Sequence, residues 1–276
     1  MTTQLPHLFN TALSAILEAS AETMKIYNQN QVEVSYKSDE SPVTQADLKS
    51  SSIIIEYLEK TGIPIICEET KIEDYGIRNQ WDYLWLVDPL DGTKEFISRN
   101  GEFTVNIALI EKRRPILGLI TIPAIGLLYW GDNMNGAYKA TIAQIIQMDY
   151  QSLIHEATKL PIASESGVIN IVASRSHLDP ETKQTINQLE SKYPNVKCVN
   201  AGSSLKFCYI AEGKANLYFR FSTTMEWDTA AGQAIIEASG AKMTELPSGN
   251  PFVYNKEDLR NNGFCVTSES LAGFVF

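Results

Sequence analysis

Near the N-terminus apolar side chains recur at helical spacing. Leu5, Leu8, Phe9, Ala12, Ile16, Leu17 and Met24 share one face, which predicts an amphipathic helix over about 6–28. Val32, Val34 and Tyr36 then alternate as a half-buried strand does, and a polar loop follows at 37–41. A second helix is expected from about Thr44 to Lys60, stopping at Gly62. Its start, Thr44-x-x-Asp47, fits a capping box with Asp in place of the usual Glu or Gln. Apolar runs at 63–67 and 83–87 read as strands ending in acidic residues, and a strand-rich block covers about 103–140. Beyond it, strands are expected at 169–173, 196–199, 215–221 and 263–267, with helices at 180–192, 203–212 and 228–239. Mixed α/β or α+β layers follow from this alternation. Pro161 to Gly167 is the expected boundary between an N-terminal α+β lobe (1–160) and a C-terminal α/β lobe (161–276).

Composition narrows the function classes. The chain has 276 residues, 44% of them hydrophobic, enough for a substantial core, so disordered, collagen-like and coiled-coil readings fall away. With 23 basic and 33 acidic side chains the formal charge is −10. That balance argues against a nucleic-acid polymer as partner, because affinity for a phosphate backbone comes mainly from Lys and Arg. Small phosphorylated ligands stay open. The stretch 8–17 before Ala19-Ser20-Ala21 imitates a signal peptide, but no Lys or Arg precedes Lys25 and Glu18 abuts the apolar run. The most apolar internal segment, Pro115–Trp130, is too short to span a membrane and contains Pro123, so two buried strands joined by a turn are expected. None of Cys67, Cys198, Cys208 and Cys265 forms a C-x-x-C pair, and buried, inert packing is expected of each. Unpaired thiols without a leader point to a reducing cytoplasm. A peripheral position at the inner face of the inner membrane, and a homodimer, are left open.

Three acidic clusters stand at predicted strand ends or helix starts: Glu68-Glu69, the segment DPLDGT (88–93), and WDTAAG (227–232). Pro89 lacks an N–H and cannot continue a central ladder, so the chain is expected to turn and bring Asp91 beside Asp88. Gly92 permits close backbone approach, leaving the amides of Gly92 and Thr93 free to face a phosphate. Two carboxylates, the Leu90 carbonyl and the Thr93 hydroxyl form an all-oxygen set suited to Mg²⁺. With Glu68 and Asp228 there is enough anionic oxygen for two ions, the clamp used in phosphate-ester hydrolysis. Singly, each feature has a plain alternative: Asp91-Gly92 as a turn, Asp228 as the N-cap of its helix, Asp47 as a capping residue. No structural requirement calls for all of them together.

These segments resemble the inositol monophosphatase superfamily of Mg²⁺-dependent, lithium-sensitive phosphatases. YLWLVDPLDGTKEFISRNGEFTVNIALI (83–110), VASRSH (172–177) and GSSLKFCYIAEGKANLYFRF (202–221) look most like its bacterial 3′(2′),5′-bisphosphate nucleotidase branch. The likeness covers essentially the whole chain and is weakest at about 141–168. It implies a layered α-β-α-β-α sandwich of the inositol monophosphatase/fructose-1,6-bisphosphatase type. It also implies hydrolysis of the 3′-phosphate of adenosine 3′,5′-bisphosphate to AMP, which supports sulfur assimilation, with two or three Mg²⁺ ions. Glu68, Asp88, Asp91, the carbonyl of Leu90 and Asp228 fall on the family's metal-ligand positions. Glu68 and Thr93 fall on residues that orient the attacking water, and Asp47 on an acidic residue near a further metal-bound water.

A metal centre sees only one phosphate, so substrate choice lies elsewhere. A bisphosphate needs cations for its second phosphate. Lys206 and Arg220 are the candidates, with Ser203 as a hydroxyl donor and His177 as a further polar contact, and the resemblance puts all four on ligand-contacting positions. Asp91, Gly92, Thr93 and Asp228 are expected to touch the reacting phosphate. Inositol-phosphate members tend to carry an acidic residue where this chain has Arg220. The plain alternatives are a solvated helix face for Lys206 and a surface strand end for Arg220. A broader inositol- or sugar-phosphate phosphatase, and a catalytically silent nucleotide-binding protein, remain the competing functions.

Overall fold

The computed structural model describes residues 4–29, 33–36, 42–145, 148–162, 167–174 and 179–271. Helix α1 (Leu5–Tyr27) packs against α2 (Gln45–Leu58), which runs into a 3₁₀ turn (Glu59–Thr61) and stops at Gly62, φ +68°. Between them, β1 (Val34–Tyr36) and β2 (Pro42–Thr44) form an antiparallel pair. The expected loop at 37–41 and Val32 lie outside the described residues.

A seven-stranded sheet follows in simple sequence order: β3 (Ile65–Cys67), β4 (Tyr83–Asp91), β5 (Thr104–Glu111), β6 (Arg114–Ile122), β7 (Leu127–Asp132), β8 (Gly136–Thr141) and β9 (Thr158–Leu160). Only β3 and β4 are parallel; every later pair is antiparallel. Its short helices are α3 (Tyr75–Arg78), α4 (Thr93–Ile97), α5 (Ile142–Ile145) and α6 (Tyr150–Glu156). The segment Pro115–Trp130 forms two buried strands joined by a 3₁₀ turn at Pro123–Ile125, as its pattern predicts.

The second sheet is five-stranded, in the order β11 (Val196–Ala201), β10 (Ile169–Ser174), β12 (Leu217–Arg220), β16 (Phe264–Thr267), β14 (Lys242–Glu245). A two-stranded ribbon joins β13 (Thr224–Met225) to β15 (Arg260–Asn261). Its helices are α7 (Pro180–Lys192), α8 (Leu205–Glu212) and α9 (Glu226–Ala238). Strands β9 and β14 carry too little apolar pattern to be read from sequence.

Side-chain alternation sorts these elements into layers. In β4, Trp85 and Val87 pack with α1 and α2, whereas Leu84 and Leu86 pack with α8 and α9. The far faces of α8 and α9 meet Val172, Tyr218, Phe264 and Val266 of the second sheet. That sheet's outer face, through Ile171, Leu217 and Phe219, meets Ile186 and Leu189 of α7. The result is the expected order helix, sheet, helix, sheet, helix. α9 lies so near the first sheet that a Cβ on Gly118 would fall 2.3 Å from the Ala231 carbonyl oxygen. Only glycine permits that approach. Among the described residues, no helix is long and apolar enough to cross a membrane.

Three expectations are corrected. Strand β4 does not end at Asp88: it continues to Asp91 through a bulge, with Asp88 opposite Asn106 and Asp91 opposite Thr104. Pro89 is tolerated because β3 pairs only as far as Val87, leaving no ladder partner on that side for the missing N–H. Asp228 is not an N-cap; α9 begins two residues earlier. Cys198 is exposed, since β11 is an edge strand, whereas Cys67, Cys208 and Cys265 are buried.

Candidate active site

Each acidic cluster reaches the same place by a different local device. Parallel pairing of β3 with β4 sets Cys67 opposite Val87, and the Glu68 N–H extends the ladder by donating to the Val87 carbonyl (3.2 Å). Glu68 thereby leaves the sheet beside Asp88. The bulge turns Asp88 inward, where its Oδ1 accepts from the Leu90 N–H (3.1 Å), and the Ser50 hydroxyl donates to the Pro89 carbonyl (2.7 Å). A bulge re-aims a side chain in this way by letting two residues oppose one.

Asp47 and Asp228 arrive at the third position of their helices. The Thr44 N–H donates to Asp47 Oδ2 (2.8 Å) and the Met225 N–H to Asp228 Oδ2 (2.8 Å). In both, one carboxylate oxygen caps the helix and the other is left to face the site. For Asp47 that second oxygen accepts from the Thr93 hydroxyl (3.0 Å). Asp47 therefore caps its helix with one oxygen and accepts from Thr93 with the other. Gly92 precedes α4 at φ +91°, and a Cβ there would fall 2.0 Å from Ser203 Oγ. Ser203, itself at φ +46°, donates its hydroxyl to the Asp91 carbonyl (2.9 Å).

Electrostatics mark the cluster. Burial pushes the Asp88 carboxyl well above the ordinary value, and Glu68, Asp91 and Asp228 push it further. Asp228 is driven to about 8, by burial first and then by Asp91. Asp91 is raised by burial, against the pull of Lys206 and of the Ser204 hydroxyl bond. Carboxylates that raise one another in a buried space are neutralised either by protons or by a cation. The donor set of Glu68, Asp88, Asp91, Asp228, the Leu90 carbonyl and the Thr93 hydroxyl is all oxygen and suits a hard divalent cation. Among the described residues, no group of three or more acidic, His or Cys side chains is arranged so that, as it stands, it could hold a metal ion. A hard, strongly hydrated cation that keeps its waters and shares phosphate oxygens requires none.

A cavity of about 350 Å³ opens beside these carboxylates, lined in part by Glu68, Thr93, Ser174, Lys206, Tyr218 and Arg220. Lys206 is only 4% exposed, so it is not on a solvated helix face. Its ammonium donates to the Ser203 carbonyl (2.6 Å). Burial lowers it to about 8, and Arg220 works in the same direction while Asp91, Glu95 and Glu102 oppose it. Arg220 ends β12 half-buried, donating to Ser222 Oγ (2.9 Å). The cavity therefore joins a carboxylate cluster to two adjacent cations. His177 lies outside the described residues.

Two contributors are not among the residues that the sequence singles out for the site. Ser204 is 2% exposed and its Oγ lies 2.8 Å from Asp91 Oδ2 and 3.0 Å from the Asp228 carbonyl; the Asn106 amide donates to it (3.0 Å). Asn106, the one polar residue in VNIALI, interrupts an apolar strand and so signals a buried task, but its partner is 98 residues away.

Residues 4–272 match the inositol monophosphatase family. The chain is 39% identical over 247 residues to the 3′(2′),5′-bisphosphate nucleotidase CysQ of Salmonella typhimurium, covering 88% of this chain and 93% of that protein. The CysQ of Escherichia coli K12 gives 39% over 248 residues with the same coverage. The crystal structure of CysQ from Bacteroides thetaiotaomicron superposes with a TM-score of 0.87 at 43% identity, over 94% of this chain and 96% of that one. SuhB of Bartonella henselae shares the fold at 21% identity, with a TM-score of 0.74 over 96% of this chain and 95% of that one. By sequence match along nearly its whole length and by its layered architecture, the chain belongs to the inositol monophosphatase family.

Proposed function

We propose that this protein is a Mg²⁺-dependent phosphatase that hydrolyses the 3′-phosphate of adenosine 3′,5′-bisphosphate to AMP and phosphate, a step that supports sulfur assimilation. The observation that carries the reading is the junction, in one cavity, of a mutually repelling carboxylate cluster with the Lys206–Arg220 pair. A monophosphate needs only the first half. A substrate with a second phosphate explains why two cations are held side by side with one of them buried.

Glu68, Asp88, Asp91, Asp228 and the Leu90 carbonyl would hold two or three ions. When bound, Mg²⁺ neutralises the phosphate dianion and lowers the pKa of water at the site. The chain's own residues handle the rest. Because the Thr93 hydroxyl gives its proton to Asp47 Oδ1, its oxygen is left as an acceptor and can orient an attacking water. Glu68 shares that task. The Gly92 and Thr93 amides face the phosphoryl oxygens as charge redistributes. Lys206 and Arg220 hold the second phosphate, joined by the Ser203 hydroxyl when it turns away from the Asp91 carbonyl, and His177 is a further contact. The chemistry involves no serine or cysteine nucleophile. Cys67, next to Glu68, is buried against Ser51 Oγ (3.3 Å) and pushed up to about 11, which keeps it a thiol.

Phosphate release from adenosine 3′,5′-bisphosphate, assayed with Mg²⁺ and with EDTA, tests this. Equal or faster turnover of inositol 1-phosphate would replace the substrate by a broader sugar-phosphate class. No turnover of either compound would leave a nucleotide-binding protein without activity.

A further inference from the structure

Ser204 is the N-cap residue of α8, yet its side chain makes no capping bond. The usual use of serine at that position is given up, and the hydroxyl turns toward Asp91 and Asp228 instead. Both neighbours there, the Asp91 carboxylate oxygen and the Asp228 carbonyl, only accept. One hydroxyl carries one proton, so the third neighbour has to be a donor.

The Asn106 amide meets that requirement with its NH₂ group. Turned over, it would place a third acceptor around a single proton. The orientation has a cost: buried Asn106 Oδ1 has no hydrogen-bond partner. Asn106 stands on β5 directly opposite Asp88. Four elements, β4, β5, α8 and α9, thus meet through one hydroxyl.

We propose that Asn106 and Ser204 act together as a positioning pair: the amide fixes the direction of the Ser204 hydroxyl, which holds the Asp91 carboxylate and the first turn of α9 in the arrangement that accepts the divalent cation. This rests on the cation-dependent reading above. Both act through Asp91 and Asp228: Ser204 lines the cavity and Asn106 stands behind it.

The test is calorimetric titration of Mg²⁺ alone into metal-free wild-type protein, Asn106→Leu, Ser204→Ala and the double variant, with the melting temperature of each. Loss of an outer partner of a metal ligand typically weakens metal binding 10- to 100-fold, so about 10-fold is expected for either single change. Because Asn106 works through Ser204, the double variant should bind as Ser204→Ala does rather than multiply the losses. Ser204→Thr, which keeps the hydroxyl, should bind within about threefold of wild type, well short of the loss expected when a partner is removed. Asn106→Ala repeats the measurement if the leucine variant does not fold. Lower melting temperatures with unmoved Mg²⁺ affinity, or losses that multiply, overturn the pairing. Absence of Mg²⁺ binding by the wild type overturns the cation reading and the pairing with it.

Discussion

Lys206→Met separates function from stability within one side chain. Methionine keeps the length and apolar stem of lysine but removes its charge. The lysine sits at about 8 against an ordinary 10.5, and at about 1.4 kcal/mol per tenfold this is a penalty of about 3 kcal/mol for holding the ammonium in the folded protein. Losing the bond to the Ser203 carbonyl returns about 1 kcal/mol of that. Metal-free Lys206→Met should therefore be more stable than wild type at pH 7 by about 2 kcal/mol, or about 5 °C in melting temperature. The sign reverses with pH in a defined window. A lysine depressed in the folded state is penalised fully below its folded value and not at all above its unfolded one. The advantage of methionine should accordingly fade between pH 8 and 10.5. Activity should move the other way. A charge-assisted contact contributes about 1.5–3 kcal/mol, so KM for adenosine 3′,5′-bisphosphate should rise roughly 10- to 100-fold. Differential scanning fluorimetry in EDTA and phosphate-release kinetics measure the two halves. A fall in the metal-free melting temperature at pH 7 refutes the burial penalty, and an unchanged KM refutes the contact.

Other perturbations probe separate parts of the structure. Asp88→Asn should abolish phosphate release with an unchanged far-UV circular dichroism spectrum; residual wild-type turnover would remove Asp88 from the cation set. Gly232→Ala places a Cβ 2.3 Å from the Phe207 ring, where α9 crosses α8, and should cost about 1–3 kcal/mol by urea denaturation; an unmoved midpoint would mean the helices separate freely. Under native conditions iodoacetamide should modify Cys198 and spare Cys67, Cys208 and Cys265, as read by peptide mass spectrometry; labelling of Cys208 would contradict its burial.

Much of the molecule was legible in the residues themselves. Helical spacing from Leu5 to Met24, the Thr44–Asp47 capping box and the alternating strands of 103–140 are local patterns, and a local pattern needs only neighbouring residues to be recognised. The carboxylates were legible for a related reason: DPLDGT packs a proline, a glycine and two acids into a segment that no simple strand or helix requires. Tertiary structure decided the rest. Whether Pro89 ends β4 depends on how far β3 extends alongside it. Whether Lys206 is solvated depends on what covers α8, and the covering residues, Arg220 and Tyr218, belong to another strand. Cys198 is exposed because β11 is an edge, which is a property of sheet order. Ser204 and Asn106 meet across 98 residues. Charges are stabilised or penalised by their distance and burial, and chain separation encodes neither. The sequence by itself determined which side chains exist for the chemistry; folding alone decided which of them are dry, charged and within reach of one another.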